Sequence, residues 1–382
     1  MTSFNKITFK ADLNSDRIYM EEDDFRSPFQ RDRDRILHSN AFRRLAQKTQ
    51  VFFTTNKHDH YRTRLTHSLE VSQISRSINS ILGGDENLTE TISLSHDLGH
   101  PPFGHIGENI LNNIMLSNGN NGFNHNVQTL RIITLLEKKY ALFDGLNLTF
   151  ETLDGILKHS GPIKNLHELK SSYYQDFSNK YNINLQTQSS LEAQIAAISD
   201  DIAYNCHDID DGIRAGIFKL DDLETINLIA KKLKNIRKIN SKMEISRMVH
   251  ELKRSLISTF IMDVAKESHS RIHKYRISSH LDILNSKDPI VFLSEEMIIE
   301  MNNIRNFLRN NMYQNKEILD HLGYAEDVVK GLFSFYKENL NKLPLKYNIR
   351  NYPSLKINRI ICDFIAGMTD NYAIEKYKEL VL

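Results

Sequence analysis

The sequence predicts an all-α protein, and three observations carry the prediction. Seven prolines and fifteen glycines are few breakers for 382 residues, which favours long helices over many short strands. Between Thr63 and Leu82, the apolar residues Leu65, Leu69, Ile74, Ile78 and Ile81-Leu82 recur at helical spacing. Beyond Ile217, segments rich in Leu, Ile and Lys keep that spacing to the C-terminus. The sequence contains no internal repeat and no low-complexity tract.

The composition, 40% hydrophobic and 25% charged, is that of an ordinary soluble globular chain. A net charge of +1 leaves any case for nucleic acid to local clusters. Two cysteines, Cys206 and Cys362, cannot form a disulfide scaffold and suit a reducing compartment. The first residues lack the apolar run of a signal peptide, and no stretch approaches the ~20 apolar residues of a membrane span. A cytoplasmic protein is expected.

In chain order, residues 1–30 are polar, mixed in charge and irregular apart from local turns. RDRDRILHSNAFRRL follows, with Arg31, Arg33, Arg35, Arg43 and Arg44 set against Asp32 and Asp34. Ile36, Phe42 and Leu45 mark an apolar side, so the pattern predicts a helix whose basic face is either solvated or phosphate-binding. Gln50 to Phe53 reads as a short strand or a helix end, and TTNKHDHY as a loop. The helix from Thr63 stops at Gly83-Gly84. Leu88–Leu98 and Phe103–Met115 form two more, separated by Pro101-Pro102, because proline cannot continue a helix and biases its predecessor away from helical geometry. GNNG (119–122) is a turn, and Phe123–Tyr140 and Leu148–His159 are helical. Residues 161–190 are polar without periodicity and read as an exposed insertion. Ser190–Cys206 is the next strong helix.

The chemistry concentrates in SHDLGHPPFGHIGE, Ser95 to Glu108, which holds His96, Asp97, His100, His105 and Glu108 around the Pro-Pro break. Three His-Asp pairs occur, His58-Asp59, His96-Asp97 and His207-Asp208, and context separates them. The first lies in a polar loop; the second joins two helix ends, which suits a site needing rigid geometry. On the 190–206 helix, Leu191, Ile195, Ile198 and Ile202 form one stripe. Asp200 lies about half a turn away among Ala193, Ala196, Ala197 and Ala203. Such a helix is buried on both faces. A carboxylate there costs several kcal/mol unless it is paired or bound to metal, about the penalty of a buried ion. Asp201 points elsewhere, beside Gln194. The candidate metal ligands are therefore His67, His96, Asp97 and Asp200. Imidazole and carboxylate donors without a placed cysteine suit Mg²⁺, Mn²⁺ or Fe, and Zn²⁺ less well. His100, His105, His125 and Glu108 remain for acid–base or leaving-group work.

These residues lie in a series of segments that closely resembles the bacterial deoxyguanosine triphosphate triphosphohydrolase-like proteins of the HD-domain superfamily. The segments are RDRDRILHSNAFRRLAQKTQVF, HYRTRLTHSLEVSQISRSI, HDLGHPPFGHIGE, FNHNVQTLRI, LEAQIAAISDDIAYNCHDIDDG and RIICDFIAGMTDNYAI. They occur in family order from Arg31 to Tyr377. The resemblance implies an α-helical HD fold with additional C-terminal helices. It divides the chain into an N-terminal segment 1–30, a catalytic core 31–215 and a helical region 216–382 packed on that core. It also implies one divalent metal held by His67, His96, Asp97 and Asp200, and cleavage of a deoxynucleoside triphosphate to deoxynucleoside and inorganic triphosphate. His105 would be the catalytic histidine, with Glu108 its partner. Arg64 would meet phosphate, Tyr204 the sugar, and Gln50 with Asp208 the 3′-hydroxyl. His100 and His125 would bind or polarise phosphates. Homo-oligomers regulated by a second nucleotide or by single-stranded DNA occur in the family.

The chain departs from the family at one point. An Arg-x-Tyr-x-His pattern that helps to hold the polyphosphate corresponds here to Asn311-Met312-Tyr313-Gln314-Asn315, so Tyr313 is kept while Asn replaces both outer residues. Two other readings are open: another HD phosphohydrolase, such as a 5′-deoxynucleotidase or guanosine tetraphosphate hydrolase, and a nucleotide- or single-strand-binding protein without turnover that uses the Arg31–Arg44 face.

Overall fold

A computed structural model describes residues 16–22, 25–50, 62–164, 172–312, 315–344, 347 and 353–382. The described chain is helical. Isolated bridges, Thr49 to Thr63 and Lys138 to Gly145, are the only β pairing among the described residues. No helix there is long and apolar enough to cross a membrane.

The helices are α1 (Pro28–Leu37), α2 (Asn40–Arg44), α3 (Arg64–Leu82), α4 (Glu86–Ser95), α5 (Gly104–Ser117), α6 (His125–Arg131), α7 (Phe150–Leu157) and α8 (Ser172–Tyr181). They continue as α9 (Leu191–Arg214), α10 (Asn227–Ile239), α11 (Ile245–Lys274), α12 (His280–Leu284), α13 (Glu295–Asn311), α14 (Lys316–Glu338), α15 (Ser354–Ala366) and α16 (Asp370–Leu380). Local chemistry sets their ends. Thr63 and Thr66 form a capping box that opens α3, and Gly83, at φ 79°, closes it in the left-handed conformation that glycine adopts without strain. Asp85 and Ser190 cap α4 and α9 by accepting from Leu88 N–H and Ala193 N–H.

Three apolar clusters hold the helices together, each buried Leu, Ile or Phe contributing roughly 1.5–3 kcal/mol. The first joins Val71, Ile74 and Ile78 of α3 to Leu191, Ile195 and Ile202 of α9 and to α10, α11 and α13. The second joins Phe29, Ile36, Leu88, Ile92 and Leu153 to Ala193 and Ala196 of α9. Helix α9 thus buries its large stripe in one cluster and Ala193 and Ala196 in the other, while Ala203 joins the stripe's cluster. The third cluster joins Phe103, Ile110, Leu111 and Met115, on and before α5, to α14 and α15. Cys206 and Cys362 are both buried, and burial pushes each thiol up to about 12.

Two sequence expectations are corrected. The described parts of the 161–190 stretch are not an exposed insertion: Ile163, Tyr174, Phe177, Tyr181, Ile183 and Leu185 are buried in the second cluster. The aromatics recur at 174, 177 and 181, one face of α8, and polar neighbours mask that period. The arginine run is not one helix with a basic face. Ser39 caps a new helix after α1 by accepting from Phe42 N–H, and several of the charges are paired within the fold while Arg43 stays exposed. Arg35 donates at 2.9 Å to the Leu146 and Asn147 carbonyls and pairs with Glu21. Arg33 pairs with Asp34 and meets Asn87, Arg31 donates to the Glu22 carbonyl, and Arg44 is half-buried near Glu137. Asp32, fully buried, pairs with Arg17 and accepts from the hydroxyls of Thr149 and Thr152. Helix ends also move: α4 stops at Ser95, and α6 gives way to a single π turn, Ile132–Leu136, well before Tyr140.

Candidate active site

The site is built where α3, the turn after α4, and α9 converge. His67 lies one turn into α3. His96 and Asp97 lie in the turn between α4 and Pro101, and Asp200 lies mid-way along α9. His67 Nε2 stands 2.8 Å from Asp200 Oδ1. His96 Nε2 is 3.5 Å from both Asp97 Oδ1 and Asp200 Oδ1. His67, His96 and Asp97 are buried and offer ligand atoms all within 4.8 Å of one another. The four proposed metal ligands therefore come together.

The donor chemistry fits a cation. His96 Nδ1 lies 2.6 Å from the Ser93 carbonyl, which fixes its proton there and leaves the buried Nε2 as an unpaired acceptor facing two carboxylates. Arg64 donates to Asp97 Oδ2 at 2.9 Å, which leaves Oδ1 on the histidine side. Burial raises the Asp97 carboxyl, but Arg64, His96 and His100 outweigh it and hold the group well below the usual range. Asp200 is held low in the same way by His96, His159 and His67 against its own burial.

A second cluster follows the Pro-Pro break. His105 Nδ1 donates to Glu108 Oε2 at 2.9 Å, and His125 Nδ1 donates to Glu108 Oε1 at 2.8 Å. The backbone N–H of His125 also reaches Oε1, so Glu108 anchors the start of α6. These bonds hold Glu108 below the usual carboxylate range despite partial burial. The His100 ring stacks on His125 at 4.0 Å, and its Nδ1 lies 3.0 Å from Asp97 Oδ1. Burial and the Arg64 charge push His100 well below the usual imidazole value, so it is neutral. Gly99 allows this approach: a Cβ there would lie 2.0 Å from the His125 carbonyl oxygen.

Both clusters open into one cavity of about 940 Å³, which Gln50, Arg64 and Tyr204 also line. Glu108 sits behind His105 and His125. Asp208 is buried one turn beyond Tyr204 and is not among the described residues lining the cavity. Tyr313 lies outside the described residues. Asn311 bonds the Phe307 carbonyl of its own helix at 2.8 Å. Asp201 turns away from the metal-facing atoms and pairs with Arg305 at 2.8 Å.

The sequence argument missed His159. It lines the cavity, stacks on His96 at 5.1 Å between ring centres, and brings Nε2 to 3.4 Å from Asp200 Oδ2. The signal was present: His159 precedes Ser160-Gly161-Pro162, a helix stop of the same kind as the one that drew attention to His100.

An all-helical bundle that gathers His, His-Asp and Asp in one cavity defines an HD-type phosphohydrolase. Residues 64–205 match the HD domain, and residues 291–379 match the phosphohydrolase-associated domain. Within that class, the chain belongs to the deoxyguanosinetriphosphate triphosphohydrolase-like proteins. It is 46% identical over 361 residues to such a protein from Bartonella tribocorum, covering 93% of this chain and 89% of that one. It is 47% identical to the one from Pelagibacter ubique, covering 95% and 96%. A crystal structure of a hypothetical protein from Aquifex aeolicus aligns at a TM-score of 0.29 and 18% identity over 82% of this chain and 79% of that one, too distant to carry an argument.

Proposed function

We propose that the protein hydrolyses deoxynucleoside triphosphates to deoxynucleoside and inorganic triphosphate. The observation that carries this reading is the shared cavity, lined by His67, His96, Asp97 and Asp200 and by His105 and His125, with His100 between the two groups. Phosphoryl transfer needs positioning and charge neutralisation more than covalent help, and this pairing supplies both. His67, His96, Asp97 and Asp200 would hold one divalent cation, Mg²⁺ or Mn²⁺ by donor type, with Fe or Zn also compatible. Such an ion would lower the pKa of a bound water and polarise the α-phosphate.

The protein's own groups do the rest. Arg64, already committed to Asp97 through one nitrogen, offers the rest of its fork to phosphate. His100 and His125 line the phosphate side. His105 keeps its Nδ1 proton on Glu108, so Nε2 is the atom that exchanges a proton with water or with the departing 5′-oxygen. Gln50 and Tyr204 meet the sugar. Binding without turnover is the weaker reading, because Arg33 and Arg35 of the run it would use are paired within the fold.

The test is a product assay on the purified protein with Mg²⁺ or Mn²⁺ and each of the four dNTPs. The expected product is inorganic triphosphate plus deoxynucleoside. Orthophosphate or pyrophosphate as the first product would overturn the reading, and release of orthophosphate from deoxynucleoside monophosphates alone would indicate a 5′-deoxynucleotidase.

A further inference from the structure

The two halves of the site rest on different packing units. His67, His96, Asp97 and Asp200 are carried by α3, α4 and α9, which pack in the first two clusters. His105 and Glu108 are carried by α5, whose apolar face packs in the third cluster with α14 and α15. Pro101 to Phe103 is the seam. Two buried charged side chains cross it, and neither has a part in the chemistry above. Asp370, at the start of α16 and 3% exposed, accepts the Phe103 N–H on Oδ1 at 3.0 Å and the Thr49 N–H on Oδ2 at 2.9 Å. Lys48, 2% exposed, donates from Nζ to the His100 carbonyl and, at 2.9 Å, to the Ala366 carbonyl.

Phe103 has φ 67°, a left-handed conformation that is strained for a residue with a Cβ. It is followed at once by Gly104 and His105. The turn therefore needs an external hold, and Asp370 supplies it while fixing the backbone beside Gln50. We infer that Asp370 and Lys48 are positioning residues: they set His105 and Gln50 against the metal-facing cluster and make catalysis depend on the C-terminal packing unit. The link to catalysis rests on the function proposed above; the hold on the turn does not.

The test uses the full chain with Asp370→Asn, which keeps the size and one acceptor oxygen, and Lys48→Met, which fills the same space without the amine. Three quantities are read: bound metal, amide exchange at Thr49 and Phe103, and kcat with KM for triphosphate release. Each folded variant is expected to keep wild-type metal and to lose about tenfold or more in kcat, with KM within about threefold, as for misplacement of a reacting group by about 1 Å. Asp370→Asn should also lose exchange protection at whichever of Thr49 and Phe103 then faces its amide NH2, while α14–α16 stay protected. Unchanged protection at both amides, loosening spread through α14–α16, or metal loss in step with activity would overturn the inference. Should Asp370→Asn not fold, Lys48→Met alone decides through metal content and kcat. If the wild type releases no triphosphate, the function fails, and exchange and metal content still decide the positioning role.

Discussion

His96 gives its Nδ1 proton to the carbonyl of Ser93 at 2.6 Å, so the backbone of the preceding helix dictates which nitrogen faces the cavity. The Nε2 atom is then the one available to a cation. His96→Ala and Asp97→Ala should each abolish bound metal and hydrolysis. Metal analysis of the purified variants checks this, and a variant that keeps a full equivalent of metal contradicts the ligand set.

His105 lies in the other cluster, and His105→Ala should keep its metal while losing about 10²–10⁴-fold in kcat, the range for a general acid or base. Glu108→Gln should reduce turnover as well, since it removes the charge on which both His105 and His125 are anchored. Metal loss in His105→Ala would place that residue among the ligands.

The two neighbouring aspartates should behave differently. Asp200 meets His67 at 2.8 Å, whereas Asp201 meets Arg305. Asp200→Ala should empty the site and Asp201→Ala should leave it filled, as titration with Mn²⁺ would register. Equal loss in both would mean that the helix wheel is too simple a guide.

Glu192 is fully buried in α9, and burial raises its carboxyl to about 7 against a hydrogen bond from Asp85 N–H. Between about pH 4.5 and 7 the folded state holds a proton that the unfolded state has released, so stability falls as pH rises through that window. Glu192→Gln should therefore stabilise the protein at pH 8 by about 3 kcal/mol and change little at pH 4. Thermal unfolding at the two pH values measures the difference, and an equal effect at both would remove the titration from the account.

Phe177→Ala should destabilise the fold by about 3–5 kcal/mol, the cost of truncating a buried aromatic. A surface insertion would lose almost nothing, so denaturant unfolding distinguishes the two roles of α8.

Much of this was legible in the sequence for identifiable reasons. His96-Asp97 was readable because a Pro-Pro break marks a fixed junction, and Asp200 because Leu191, Ile195, Ile198 and Ile202 keep one helical period around it. His159 was hidden because a single histidine after an ordinary helix looks structural until folding stacks it on His96. The partners of the arginine run could not be read, since Asn87 and Leu146 are 54 and 111 residues from Arg33 and Arg35. The aromatic face of α8 was diluted by polar neighbours. Local periodicity survives in the sequence; long-range pairing of charges does not.

The tie between Asp370 and Phe103 spans 267 residues, and that separation has a meaning in time. A chain leaving the ribosome holds all four proposed metal ligands once Asp200 has emerged. The turn that presents His105 must wait until Asp370 has been made. On the function proposed above, a product that ended between α13 and Asp370 would carry all four proposed metal ligands and their packing partners, yet lack the carboxylate that holds the His105 turn.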